Sequence, residues 1–166
     1  MQNGHTKSEG NVYLRYRKEA AEEQKDLFSR EGAAKRLGIS TESLRDYERG
    51  VTKTVPADVV LNMSILYKAP ELRNHYCRNV CPIGEKYTPQ IDTEKLEIDR
   101  LTLKLLNEFR KISSVKETLV EIVADGVITD DEQPDLRRVL ETLDAISVHT
   151  QELRVWVEKH IEIKDD

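Results

Sequence analysis

Apolar residues recur along this chain at spacings of three and four over short stretches, then at spacings of seven over long ones. The two regimes predict different kinds of helix. Asn11 can cap a helix running to about Gln24, with Tyr13, Tyr16 and Ala20 on one face. Leu27 and Phe28 bridge from it and plug the core. Ser29 caps a second helix with Ala33, Ala34 and Leu37 inward, and Gly38 ends it where the chain can take positive φ. Ile39 fills the corner, Ser40 caps a third helix carrying Leu44 and Tyr47, and Arg49-Gly50 stops it. Pro56 opens a fourth helix through Val59, Val60, Met63 and Leu66. Pro70 opens a fifth, from Glu71 to about Val80, which Pro82 and Gly84 end.

Tyr87 to Asp92 reads as a hinge into the second regime. Ile91, Ile98, Leu105, Ile112 and Leu119 form one row by sevens; Leu101, Val115 and Ile122 form another, interrupted by Glu94 and Glu108. The pattern predicts a single helix of about nine turns, closed by Gly126. Thr129 and Glu132 form a capping box for a second long helix, from about Asp130 to Ile161, through Leu136, Val139, Leu140, Leu143, Ile146, Leu153, Trp156 and Val157. Neither helix can bury its stripe alone, so an antiparallel hairpin pairing with a second copy into a four-helix bundle is expected. The fold class is therefore all-α: a flexible tail over 1–10, a five-helix head over 11–86, a hinge over 87–92 and a hairpin module over 91–163.

Composition agrees with a helical protein, at 38% hydrophobic and 34% charged residues with five prolines and seven glycines. Lys and Arg minus Asp and Glu give 15 − 12 = +3 over residues 1–90 and 11 − 19 = −8 over residues 91–166. A basic front half suits a polyanion; an acidic back half suits assembly or a protein partner, and equally an ordinary solvated surface. The longest run without a charge, Val59 to Tyr67, has nine residues, against about 20 for a membrane span. The first ten residues are polar, with no secretory pattern, and the chain has two cysteines, which sets a reducing cytoplasm as the expected compartment.

Two short helices around a tight turn form a unit that can lay its second helix in a DNA major groove. Ala33-Ala34, Gly38-Ile39-Ser40, Leu44 and Tyr47-Glu48-Arg49-Gly50 resemble the corresponding positions of the xenobiotic-response-element-type (XRE, Cro/CI-like) helix-turn-helix regulators, over about residues 13–67. The resemblance implies a lambda-repressor-like head of five helices, with double-stranded DNA as partner and repression as the commonest outcome. Such heads are common in bacteria and their phages. Arg30 stands where many members of that family carry glutamine, and it can still reach a phosphate.

On this reading Thr41, Glu42, Ser43, Arg45 and Asp46 face the groove. Ser and Thr can bond several base edges, Arg45 can hold guanine O6 and N7 through two bonds, and Glu42 can accept from cytosine N4. Arg15, Arg17, Lys18, Ser29, Arg30, Lys35, Arg36, Arg49 and Lys53 are the candidate phosphate contacts. Glu42 and Asp46 repel phosphates, a charge balance that also suits a protein-binding head.

Cys77 and Cys81 would share a helix face, as a small buried pair or as two ligands of a metal or redox site; His5, His149 and His160 show no spacing that completes such a site. The stretch Asp125 to Glu132 resembles the second half of a calcium loop, but the first and third ligand positions fall on Glu121 and Val123, and valine has no side-chain oxygen. No phosphate-binding glycine loop, HExxH or Gly-x-Ser-x-Gly is present, so neither an enzyme nor a cofactor is expected. The expectation is a sequence-specific DNA-binding regulator dimerised by its hairpin. Its alternatives are an interaction adaptor working through the acidic hairpin, and a metal- or redox-responsive regulator.

Overall fold

The computed structural model describes residues 11–92, 97–124 and 126–161, and within them every regular element is helical. The proposed tail, Glu94, Asp125 and the last residues of the chain lie outside the described set. The chain divides into two compact units, one through Thr88 and one from Pro89.

In the first unit, local capping chemistry sets most boundaries. α1 (Val12–Glu23) begins at Asn11, whose Oδ1 accepts from the amides of Tyr13 and Leu14 while its Nδ2 donates to the Tyr47 carbonyl at 2.9 Å. A 3-10 turn (Lys25–Phe28) follows. α2 (Arg30–Leu37) starts at Ser29, whose Oγ accepts from Gly32, and ends at Gly38 with φ 69°. α3 (Thr41–Arg49) repeats the scheme, with Ser40 accepting from Ser43 and Gly50 at φ 66°. Residues without a Cβ meet no left-handed penalty at those two stops. α4 (Ala57–Leu66) ends in a reversal where Lys68 takes φ 51°.

The core of this unit joins Tyr13, Tyr16 and Ala20 of α1 to Ala33, Ala34 and Leu37 of α2, Leu44 of α3, and Val59, Val60 and Met63 of α4. Leu27 is fully buried within it, but its neighbour Phe28 is 81% exposed. Two successive residues of one tight turn point in different directions, so the pair cannot plug the core together.

α5 (Glu71–Asn79) is followed by a sixth helix, α6 (Pro82–Tyr87), where the sequence predicts only a stop. Pro82 opens it because the first helical position has no amide bond to lose. Gly84 lets it approach α5: a Cβ there would sit 2.3 Å from the Cys77 carbonyl oxygen. Arg78 donates to the carbonyls of Glu85 (2.6 Å) and Thr88 (3.0 Å), which holds the end of α6.

The second unit has three helices: α7 (Ile98–Phe109), α8 (Ile112–Ile122) and α9 (Gln133–His160), with both α7 and α8 packed along α9. The single long helix expected before Gly126 is thus broken at Arg110-Lys111. There the Lys111 amide bonds to Glu108, three residues back, instead of four. A strict seven-residue repeat drifts about 20° per heptad around a straight helix, and an interruption can reset the face. The two predicted rows fare differently. Leu101, Val115 and Ile122 are buried, with Glu108 buried among them, whereas Ile98 and Ile112 of the other row are exposed and Leu105 is buried.

α8 ends at Ile122 with Val123 as its C-cap, so Gly126, at φ 77°, shapes the loop beyond the helix instead of closing it, and only half of the expected capping box forms. Glu132 Oε2 accepts from the Thr129 amide at 2.8 Å and from its hydroxyl at 2.6 Å, so Thr129 donates to the carboxylate instead of capping the Glu132 amide. That carboxylate, the last ligand position of the calcium-loop resemblance, is engaged within its own turn.

Candidate nucleic-acid interface

α3 has an inner and an outer side. On the inner side Leu44 and Glu48, one turn apart, are both fully buried. A buried carboxylate needs partners, and two helices supply them: Arg17 of α1 donates through Nε to Glu48 Oε1 and through Nη2 to Oε2 (3.2 Å), and Arg30 of α2 donates to Oε2 at 2.6 Å. Arg17 also donates to the carbonyls of Leu27 (2.7 Å) and Phe28 (3.0 Å). Below this network the buried phenol of Tyr67 is raised well above its ordinary pKa, first by burial and then by the charge of Glu48.

Arg17 is consequently not a phosphate contact. It is 4% exposed and its donors are spent inside the unit. The spacing held the signal: Arg17 lies four residues after Tyr13 and three before Ala20, on the face assigned to the core.

On the outer side, Glu42 and Arg45 are exposed, and Thr41, Ser43 and Asp46 are half-buried. The Ser43 hydroxyl lies 2.8 Å from that of Ser40. Arg45 donates to Glu42 at 2.8 Å and to Asp46 at 3.4 Å, so the guanidinium is held by two acids of its own helix. Exposed ion pairs of this kind contribute little to stability and can exchange for a better anion.

A cleft of about 630 Å³ gathers one group of the predicted residues, with Lys18 and Arg30 beside Thr41, Glu42 and Arg45 and with Phe28 on its wall. Others lie apart from it. Arg36 bonds to Gln24 (2.6 Å) and Asp26 (3.2 Å) and lines a separate groove with Ile65 and Lys68. Arg15 lies over the Tyr16 ring, 4.9 Å from its centroid, and pairs loosely with Glu19. Ser29 is exposed, its Oγ occupied by the Gly32 amide at 3.0 Å. Lys35, Arg49 and Lys53 are exposed and line neither cleft.

The cysteine pair is rearranged relative to expectation. α5 ends at Asn79, so Cys81 leaves the helix of Cys77 and becomes the N-cap of α6, its Sγ accepting from the Gly84 amide at 3.5 Å. Both are half-buried free thiols.

In the second unit Glu152 is 2% exposed and accepts from Lys104 Nζ (3.1 Å), the Asp92 amide (3.2 Å) and His149 Nδ1 (3.0 Å). Burial pushes its carboxyl pKa up; the hydrogen bonds from His149, Asp92 and Lys104 outweigh this together and leave it below the ordinary range. His160 stacks on Trp156 at 4.7 Å between ring centroids. Among the described residues, no helix is long and apolar enough to cross a membrane. No protein-family model, curated protein or solved structure matches the chain.

Proposed function

We propose that the protein is a sequence-specific, double-stranded-DNA-binding regulator of the XRE type. Its first unit is a lambda-repressor-like head, and α3 enters the major groove. The observation that carries this reading is the division of α3: Glu48 ties its inner side to α1 and α2 through Arg17 and Arg30, while Glu42, Arg45 and Arg49 remain exposed outside. A helix braced from behind with polar side chains outward is what groove reading requires. Lys18 and Arg30, beside the start of α3, are suited to hold phosphates while Thr41 and Arg45 meet base edges.

The second unit would join two copies. Among the described residues it buries seven large apolar side chains and exposes twelve, including Leu103, Leu106 and Phe109 at three-residue spacing on α7. A surface of that kind favours a partner with the same need, and a second copy has it. The finer arrangement we propose is a bundle formed by two such modules, setting the two α3 helices about 34 Å apart.

One observation favours a second reading, a protein-interaction adaptor. Arg45 is neutralised by Glu42 and Asp46, which leaves the outer side of α3 without strong positive charge.

The deciding experiment is selection of the purified full chain on random-sequence duplexes at low and physiological salt, followed by Arg45→Ala. Recovery of an inverted repeat with half-sites about 10 base pairs apart, and loss of about 1–3 kcal/mol of preference in the variant, supports the regulator. Weak, salt-sensitive binding without a recovered sequence supports the adaptor.

A further inference from the structure

Phe28 is the most exposed large apolar side chain among the described residues, at 81%, and its outward position is fixed from beneath. The carbonyls of Leu27 and Phe28 both accept from the buried Arg17 guanidinium, at 2.7 and 3.0 Å. That pins the 3-10 turn with Leu27 inward and Phe28 outward. The ring stands on the cleft that also contains Lys18, Arg30, Thr41 and Arg45, together with the carboxylates of Glu31 and Glu42. An apolar ring that shares a cleft with cationic side chains matches a nucleic-acid backbone, where a non-polar sugar lies between two phosphates.

Resting on the DNA-binding reading, we infer that Phe28 packs its ring on a deoxyribose of the bound duplex, between phosphates held by Lys18 and Arg30. The two kinds of contact have different physics. Each phosphate contact releases counterions and steepens the fall of affinity with salt by about one in the log–log slope; an apolar contact adds affinity without changing that slope. A sugar contact is also indifferent to base sequence.

The test uses the full chain and a duplex that the wild type selects from a random pool. Affinity is measured across salt concentrations for the wild type, Phe28→Ala, Phe28→Leu and Lys18→Ala. The same measurements are made on a scrambled duplex of equal length and on one with uracil in place of thymine. Phe28→Ala is expected to weaken binding about tenfold at every salt concentration, on all three duplexes, with the slope unchanged. Phe28→Leu should stay within about threefold of the wild type, and Lys18→Ala should lower the slope by about one. Helical circular dichroism should be the same for all four proteins, as expected for exposed positions.

No loss in Phe28→Ala, or a changed slope, overturns the sugar contact while the DNA-binding reading stands. A loss confined to thymine-containing duplexes also overturns it, because the contact is then to the thymine methyl. A wild type that binds no duplex removes both the inference and the reading beneath it.

Discussion

The guanidinium of Arg17 and the carboxylate of Glu48, 31 residues apart, form a buried ion pair that joins the middle of α1 to the end of α3. Removing one member leaves the other charged and buried. Glu48→Ala should therefore cost about 3–5 kcal/mol in urea-induced unfolding, whereas Arg17→Met combined with Glu48→Leu should cost much less. Equal losses in the single and double variants would mean that the pair is not what holds α3.

Two glycines in adjacent positions of the fold test two kinds of constraint. At Gly32 a Cβ would lie 2.0 Å from the Asp26 carbonyl oxygen, so Gly32→Ala must displace the 3-10 turn. At Gly38, with φ 69°, a Cβ meets open space, and Gly38→Ala costs only the left-handed conformation, about 1–2 kcal/mol. Thermal melts should rank Gly32→Ala as the more destabilised variant. The reverse order would show that the turn gives way easily.

Glu152 and Glu108 make the second unit sensitive to acid. Hydrogen bonding to Lys111, the largest influence, holds Glu108 below the ordinary range, as the bonds to His149, Asp92 and Lys104 do for Glu152. Because the folded-state values are depressed, the stability they supply is complete above the unfolded value of about 4.3 and is lost as pH falls through the folded values. Glu152→Gln should be less stable than the wild type by about 1–3 kcal/mol at pH 7, and the gap should narrow below pH 4. A gap independent of pH would contradict this account.

If two copies meet through the second unit, charges on its exposed apolar side should separate them. Leu106→Glu with Phe109→Glu is expected to convert a dimer into a folded monomer in analytical ultracentrifugation. A wild type that sediments as a monomer at micromolar concentration would remove the dimer from the proposal.

Boundaries of the first unit were legible in the sequence wherever a single residue's chemistry sets them. Asn11, Ser29 and Ser40 cap as their side chains dictate, and Gly38 and Gly50 stop helices as only glycine does cheaply. What escaped depends on partners distant in the chain or on residues with two uses. Proline both ends and begins helices, and the approach of Gly84 to Cys77 decides for the second at Pro82. The break at Arg110-Lys111 carries neither glycine nor proline, so seven-residue spacing ran straight through it. Of the candidate site, the exposed side of α3 was legible from helical spacing. The same spacing placed Arg17 on the inward face of α1, but the partner that makes a buried guanidinium tolerable there, Glu48, lies 31 residues away and leaves no local signal.

The anchoring of α3 by Glu48 separates two jobs along one helix. Positions 42, 45 and 49 can be exchanged for other residues while Leu44 and Glu48 keep the helix seated, so the outward set is open to replacement as a block. Such an arrangement makes the unit a reusable scaffold: a library varied at those three positions should yield folded proteins at high frequency, and new preferences could arise without a new core.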